Sequence, residues 1–442
     1  MVHYSFTSSA RRSNDTFQWS TSSLVKSTPR FPRSFRRITD TDPSVTILHG
    51  RPSMGLGEDL PPYSLDTTLP PYSLDTDSPA YSPSEEGLES DPEHMAIVPK
   101  YLSMLVISAA STDLEIGDPP TDSISSMAFS PQADYLSVAS WDNSVRIYEI
   151  AAGGQSQGKA SYQHQAPVLS VCWNKEGNKL FSGGTDNIGR AFDLTTGQPT
   201  QVAQHDAPIK TIKWVDTPHS GILATGSWDK TIKYWDLRAP TPAATVTIPE
   251  RCYSFDVQYP LLVVGMAERQ IQIYNLTNPT TPYKTIQSPL KWQTRVVSCF
   301  TNTNNKSGFA IGSVEGRVAV HYVEDKDASN NFSFRCHRQD TSAGAKDQAL
   351  IYAINDISFH PTHGSDGTVH FWDIESRVRL KSFDQVNAPI TTTAFNRNGS
   401  MFAYAISYDW SKGHQGMTSG HPNKLMLHAC KEEEVKKRPS RK

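Results

Sequence analysis

His205, Thr225, Ser227 and Asp229 place a histidine, two hydroxyls and an acid in one short stretch of a 442-residue chain, the residue types that general acid–base chemistry uses. Other chemistry-bearing signatures fail on context. The chain has no GxxxxGKS or GxxxxGKT phosphate loop, no GxSxG elbow and no HExxH pair. His360 and His363 stand three apart, but in a loop without an adjacent acid or thiol to complete a metal site. The five cysteines, Cys172, Cys252, Cys299, Cys336 and Cys430, are an odd number with no CxxC pair. Three of them fall in apolar segments and read as small buried hydrophobes of a reducing compartment. We therefore expect no catalytic residue, cofactor or metal, and a structural role for His205 and Asp229.

The setting of Asp229 gives the reason. It lies in the turn Gly226–Asp236, and related turns carry an acid at Asp142, Asp186, Glu268, Glu315, Asp366 and Asp409, giving steps of 44, 43, 39, 47, 51 and 43 residues. Turns between antiparallel strands favour Gly, Asn and Asp, which tolerate positive φ or bond their own backbone. About a dozen residues before each turn an opening strand alternates apolar with small or polar residues: 123–129, 167–173, 208–214, 252–257, 295–300, 354–359 and 389–395. The period is that of four-stranded WD-type blades, so the fold expected is an all-β, seven-bladed WD-repeat β-propeller. In WD-repeat families the turn Asp bonds a His of the preceding loop, which meets a Ser or Thr and then a Trp. This chain resembles that network in one blade, with His205, Thr225 or Ser227, Asp229 and Trp235; elsewhere Tyr148, Phe192 and Tyr274 stand at the Trp position.

Two features disturb the repeat. The last unit supplies strands at 390–395, 401–407 and 425–428 only, and the segment 112–116 is the candidate clasp that completes it, because an open ring leaves strand edges unpaired. In the sixth unit Phe359 precedes Asp366 by 7 residues where the other units measured span 13 to 15, so that blade is expected to lack one strand.

Outside the repeats, residues 1–110 are rich in Ser, Pro and Thr and repeat LPPYSLDT at 60–67 and 69–76; so little apolar material predicts a disordered extension. Residues 1–39 carry seven Lys or Arg and one acid, a composition shared by mitochondrial transit peptides and disordered tails. The longest apolar stretch, 96–110, is interrupted by Pro99 and Lys100 and is too short for a bilayer, so no membrane insertion is expected. Net charge is −3; the extension holds 9 basic and 13 acidic residues, leaving 33 and 32 of the chain's 42 and 45 for the rest. Contact with nucleic acid would then use a local patch, not bulk charge. The domains expected are 1–110, a propeller over 111–430 and a charged tail over 431–442, solvated or used for nuclear import or phosphate contact.

Several strings are more specific than generic propeller sequence: FSPQADYLSVASWDNSVRIYEI from Phe129, TGSWDKTIKYWDLR from Thr225, SPLKWQTRVV from Ser288, GSVEGRVAVHY from Gly312, FSFRCHR from Phe332 and SYDWSKGH from Ser407. Over roughly 111–430 the chain resembles the WD-repeat mRNA export factors of the nuclear pore, a GLEBS-binding propeller family related to the mitotic-checkpoint propeller. The resemblance implies a non-enzymatic adaptor, nuclear and shuttling to the cytoplasm. It would act as a monomer within a heteromeric complex and bind the GLEBS segment of an FG-repeat nucleoporin on its top face. Arg317 matches a position that pairs with a GLEBS glutamate. Phe334, Trp372, Asp373, Arg377 and Arg379 match a rim groove implied to hold messenger ribonucleoprotein or single-stranded RNA by stacking and phosphate contact. Trp372 is also its blade's WD tryptophan, and Ile374 and Glu375 stand where the family is richer in Lys. The alternatives are a spindle-checkpoint propeller binding GLEBS segments of checkpoint proteins and a substrate receptor of a ubiquitin ligase.

Overall fold

A computed structural model describes residues 113–301, 305–340, 349–359, 370–383, 386, 388–418 and 420–436. The extension over 1–110, His360, His363, the turn at Asp366 and residues 437–442 lie outside the described residues.

The repeating acid is used in two ways. One carboxylate oxygen bonds the backbone N–H two residues on: Ser144 to Asp142 at 2.9 Å, Ile188 to Asp186 at 3.2 Å, Thr231 to Asp229 at 2.9 Å and Ser411 to Asp409 at 3.1 Å. The residue after these acids is at positive φ, Asn143 at 68°, Asn187 at 64°, Lys230 at 64° and Trp410 at 58°, and so are Arg269 at 60° and Gly316 at 66° after Glu268 and Glu315. The acid also holds the loop that enters its own blade, accepting N–H groups from Thr121 (Asp142), Gln165 (Asp186), Asp206 (Asp229) and Lys291 (Glu315) at 2.9 to 3.3 Å.

Among the described residues the chain forms six four-stranded antiparallel sheets, each a propeller blade, five of them with their strands in chain order from the inside out. Their innermost strands are Ile124–Phe129, Val168–Trp173, Ile209–Asp216, Cys252–Gln258, Thr294–Thr301 and Ile390–Phe395. Neighbouring inner strands are cross-linked by side chains that accept from the next strand's backbone: Ser126 from Val171, Ser170 from Ile212, Ser254 from Val297 and Asp256 from Cys299, at 2.8 to 3.3 Å. The core lies between blades. Phe255, Leu262 and Val264 are buried with Ala224, Ile232 and Tyr234 of the preceding sheet. Close approach requires Gly226 there, since a Cβ would stand 2.7 Å from Cys252 Sγ and 2.8 Å from Phe255 Cδ1.

The clasp is present as Leu114–Ile116, which pairs antiparallel with Lys424–Ala429 and completes the sheet of Ile390–Phe395 and Met401–Ile406. First and last strands thus share one blade, and Ile116 is 1% exposed within its core. Where a tail is expected from Lys431, the chain instead turns through the short helix Glu432–Val435, with Glu434 and Val435 buried.

The sixth unit differs from its expected opening strand. Residues 354–359 make only isolated bridges at Asp356 and Phe359, and no second strand of that unit lies among the described residues for them to pair with. The segment is held by its neighbours instead. Ile354 N–H donates to Ser313 O at 3.1 Å, and Asp356 accepts from Thr393 N–H at 2.7 Å on the closing sheet. Beyond the gap, His370–Asp373 pairs with Val378–Ser382 as a two-stranded sheet. A further pair, Arg338–Asp340 with Ala349–Ile351, was not foreseen from the repeat pattern.

Candidate functional site

His205 is 2% exposed and spans the third blade. Its Nδ1 lies 2.7 Å from Asp229 Oδ2 and its Nε2 2.7 Å from Thr225 Oγ1, and Trp235 Nε1–H donates to the same Thr225 oxygen at 2.8 Å. Ser227 stands one step away, donating to Ala207 O at 3.0 Å and accepting from Asp229 N–H at 3.1 Å. Burial opposes the charge on Asp229, but hydrogen bonds from His205 and Thr231 outweigh it and lower its pKa. Every polar atom of the relay faces another protein atom, so the arrangement fixes strands and leaves no reactive group open to a substrate.

The second blade carries the same relay, which the sequence reading missed. His164 lies 2.9 Å from Asp186 and 2.8 Å from Ser182, and Tyr162 O–H donates to Ser182 at 2.8 Å. Phe192 at the Trp position cannot donate; Tyr162 supplies the missing donor from Ser156–Gln163, the outermost strand of the preceding sheet, and stacks on Phe192 at 4.9 Å. A tyrosine two residues before the histidine was the available signal.

The rim residues converge on the fifth blade. Arg317 opens its third strand and lies opposite Arg335, while the next pair in register is Val318 with Phe334. Phe334 meets Trp372 with ring centroids 4.4 Å apart, and Phe332 lies 5.9 Å from Phe334. The Arg377 guanidinium sits over the Phe332 ring at 4.6 Å and donates to Asn330 O at 3.4 Å. Arg379 is opposite Trp372 in register, and both arginines are exposed. Asp373 is brought to the same place but is buried and occupied by its turn, accepting from Ser376 Oγ at 2.5 Å and Glu375 N–H at 3.1 Å. Trp372 Nε1–H is buried without an acceptor among the described residues. The result is an aromatic floor flanked by Arg335, Arg377 and Arg379.

Arg317 itself is half-buried and makes no ion pair among the described residues. Around it the acid turn gathers apolar surface: Glu315 holds the loop of Lys291, whose neighbour Trp292 is 62% exposed. Tyr352, tied by its N–H to His337 O at 3.0 Å, is 46% exposed beside Ile351 at 48%. Trp292 lies in SPLKWQTRVV, where nothing in local pattern tells an exposed tryptophan from a packed one.

A ring of antiparallel blades with internal His–hydroxyl–acid struts and open aromatic and basic surface on one rim defines a WD-repeat propeller. Residues 127–217 match the family model of the anaphase-promoting complex subunit 4 WD40 domain. Over 338 residues the chain is 53% identical to "mRNA export factor GLE2" of Chaetomium thermophilum, covering 74% of this chain and 93% of that protein. It is 52% identical over 336 residues to "Poly(A)+ RNA export protein" of Schizosaccharomyces pombe, covering 74% and 94%. Against "Protein Rae1" of Drosophila melanogaster it is 45% identical over 331 residues, covering 73% and 95%. The chain belongs to this family of WD-repeat mRNA export factors.

Proposed function

We propose that this protein is a non-catalytic adaptor in nuclear mRNA export, working at the nuclear pore and shuttling to the cytoplasm. Its top face, the face that carries the acid turns, docks the GLEBS segment of an FG-repeat nucleoporin, with Arg317 pairing a GLEBS glutamate. The rim groove of Phe334, Trp372, Arg377 and Arg379 takes messenger ribonucleoprotein or single-stranded RNA. One observation carries the reading: Arg317, without an ion pair among the described residues, follows a turn in which Glu315 holds the loop before exposed Trp292 and Gly316 approaches the backbone of exposed Tyr352, and it lies one strand from the aromatic groove. Unpaired Arg next to exposed aromatics is the composition of a binding hot spot. Names of relatives that specify RNA export favour this over the checkpoint and ubiquitin-ligase readings.

The same proposal includes a ring of seven blades. Residues 354–359 and the pair His370–Asp373 with Val378–Ser382 then form a sixth blade short of one strand, supported by the 51- and 43-residue steps on either side of Asp366.

Calorimetric titration of the full chain with a GLEBS peptide tests the docking. We expect one-to-one binding that Arg317→Glu weakens about 30-fold or more, the loss of a hot spot of about 2 kcal/mol, with an unchanged unfolding midpoint. A folded variant that binds as tightly as the parent removes Arg317 from the interface, and a folded parent that fails to bind removes the docking proposal.

A further inference from the structure

Each of the six blades has a β-bulge at the same place on its innermost strand. The extra residue is Ser125, Leu169, Lys210, Tyr253, Arg295 or Thr391, and it comes one position after the first paired residue. A bulge re-aims its side chain, and all six residues line one central channel of about 620 Å³, as does Asn355 of the bridging segment. The repeat therefore presents one level of side chains to the channel. That level holds two cations, three hydroxyls and an amide, with no carboxylate.

The acids that do line the channel belong to other positions and are engaged. Asp216 accepts from Trp214 Nε1–H at 3.0 Å. Asp256 pairs with Lys213 at 2.9 Å and accepts from Cys299 N–H at 2.8 Å. Asp356 accepts from Thr393 and Ile357 N–H groups at 2.7 and 2.8 Å. Arg295 spends one donor on Asp409 O at 3.1 Å and keeps the rest of its five. The Asp409 carboxylate nearby is taken by Ser411 N–H at 3.1 Å and Asn355 Nδ2 at 3.4 Å. Lys210 has no carboxylate partner and no acceptor among the described residues. Burial lowers its pKa and the Arg295 charge lowers it further, against smaller upward effects of Cys252 and of the Asp356 carboxylate. Thr391 Oγ1 is buried and unpartnered at the same level.

We propose that this level of the channel is an anion site in which Lys210 and Arg295 together bind a small phosphate-class oxyanion. Two like charges at a partly desolvated wall repel, and a multivalent anion between them converts that repulsion into attraction for both. A tetrahedral oxyanion suits the donors better than a halide. Lys210 offers three N–H groups, Arg295 a planar fork, and Thr391 and Tyr253 one hydroxyl each, so several acceptor oxygens are used at once. The site is separate from the rim surfaces of the proposed docking function and stands without that reading.

The test is calorimetric titration of the full chain with inorganic phosphate and with pyrophosphate at constant ionic strength, chloride being the balancing anion. Saturable one-site binding by the parent is expected, at least tenfold weaker in Lys210→Met and in Arg295→Met. Lys175→Gln, which removes an exposed lysine from elsewhere in the channel wall, keeps the parent affinity. If a variant binds too weakly to fit, thermal unfolding supplies a second reading: Lys210→Met raises the midpoint in phosphate-free buffer and abolishes the rise that phosphate gives the parent. Neither anion binding the parent above the chloride background overturns the site, as does equal affinity in parent and both methionine variants.

Discussion

Replacing His428 by alanine probes how the ring is closed. His428 lies on the strand Lys424–Ala429, with Nδ1 2.7 Å from Asp113 Oδ1 and Nε2 2.9 Å from Glu434 Oε2. One carboxylate comes from the start of the clasp and the other from the terminal helix, so a single imidazolium joins both ends of the described chain. The three side chains are 5 to 8% exposed, so solvent screens them little. Burial works against the charge on His428, but the two carboxylates outweigh it and raise its pKa above the usual 6.5. Burial also opposes ionisation of Glu434, yet His428, Lys431 N–H and Lys381 together lower its pKa.

Removing one partner of a buried ion pair costs about 3–5 kcal/mol. Asp113 retains the Tyr404 hydroxyl at 2.7 Å, and Glu434 retains Lys431 N–H at 3.0 Å and Lys381 at 3.1 Å, which favours the lower end of that range. We expect a loss of about 3 kcal/mol near pH 6, or about 5–10 °C in Tm. The pH dependence follows from the two shifts. The raised histidine contributes fully below its unfolded value and loses its contribution as pH rises through the folded value. The lowered Glu434 contributes above its unfolded value and loses its contribution as pH falls through the folded one. Parent and variant should thus differ most between about pH 5 and 6.5 and converge toward pH 9. Urea unfolding followed by tryptophan fluorescence at pH 6 and pH 9 measures this. A difference under about 1 kcal/mol at pH 6, or one that grows toward pH 9, would refute the ion-pair account.

Other perturbations address the strut, the blade contact and the groove. Thr225→Val strands both His205 Nε2 and Trp235 Nε1–H in the core and should cost about 3 kcal/mol in urea unfolding; a cost under 1 kcal/mol would mean that the relay does not hold the blade. Gly226→Ala drives a methyl against Cys252 and Phe255 and should destabilise by about 1–3 kcal/mol, with a neutral result showing that the two blades can part. In fluorescence anisotropy with a single-stranded RNA, Trp372→Ala and Arg379→Glu should each weaken binding about tenfold, the worth of one stacked base or one phosphate contact, while leaving GLEBS titrations unchanged. RNA binding that ignores both substitutions would move the RNA surface elsewhere.

Much of this molecule is local chemistry and can be read from order along the chain. The acid turns need a residue that bonds its own backbone and a successor that accepts positive φ, so Asp142–Asn143 and Asp186–Asn187 announce themselves. Period-two alternation marks six of the opening strands, and the deficit in the last unit called for a strand from elsewhere, found at Leu114–Ile116. Phe334, Trp372, Arg377 and Arg379 were named from the family resemblance, and packing of Phe334 on Trp372 across two sheets brings them together. Asp373 shares the place, but its carboxylate is occupied by its own turn. What sequence order could not give depends on distances between residues far apart in the chain. His428 meets Asp113 across 315 positions, Tyr162 substitutes for an absent tryptophan donor, and residues 354–359 lose strand form where the described chain offers no partner. The bulge level of Lys210 and Arg295 is the clearest case. Each bulge is a one-residue slip in its own blade, but only closing the ring turns six such slips into one level of a channel, where charges 85 positions apart in sequence act on each other. Periodicity specifies the blade, because turn and pleat are short-range sterics; the site arises where blades meet, because burial and charge act through space.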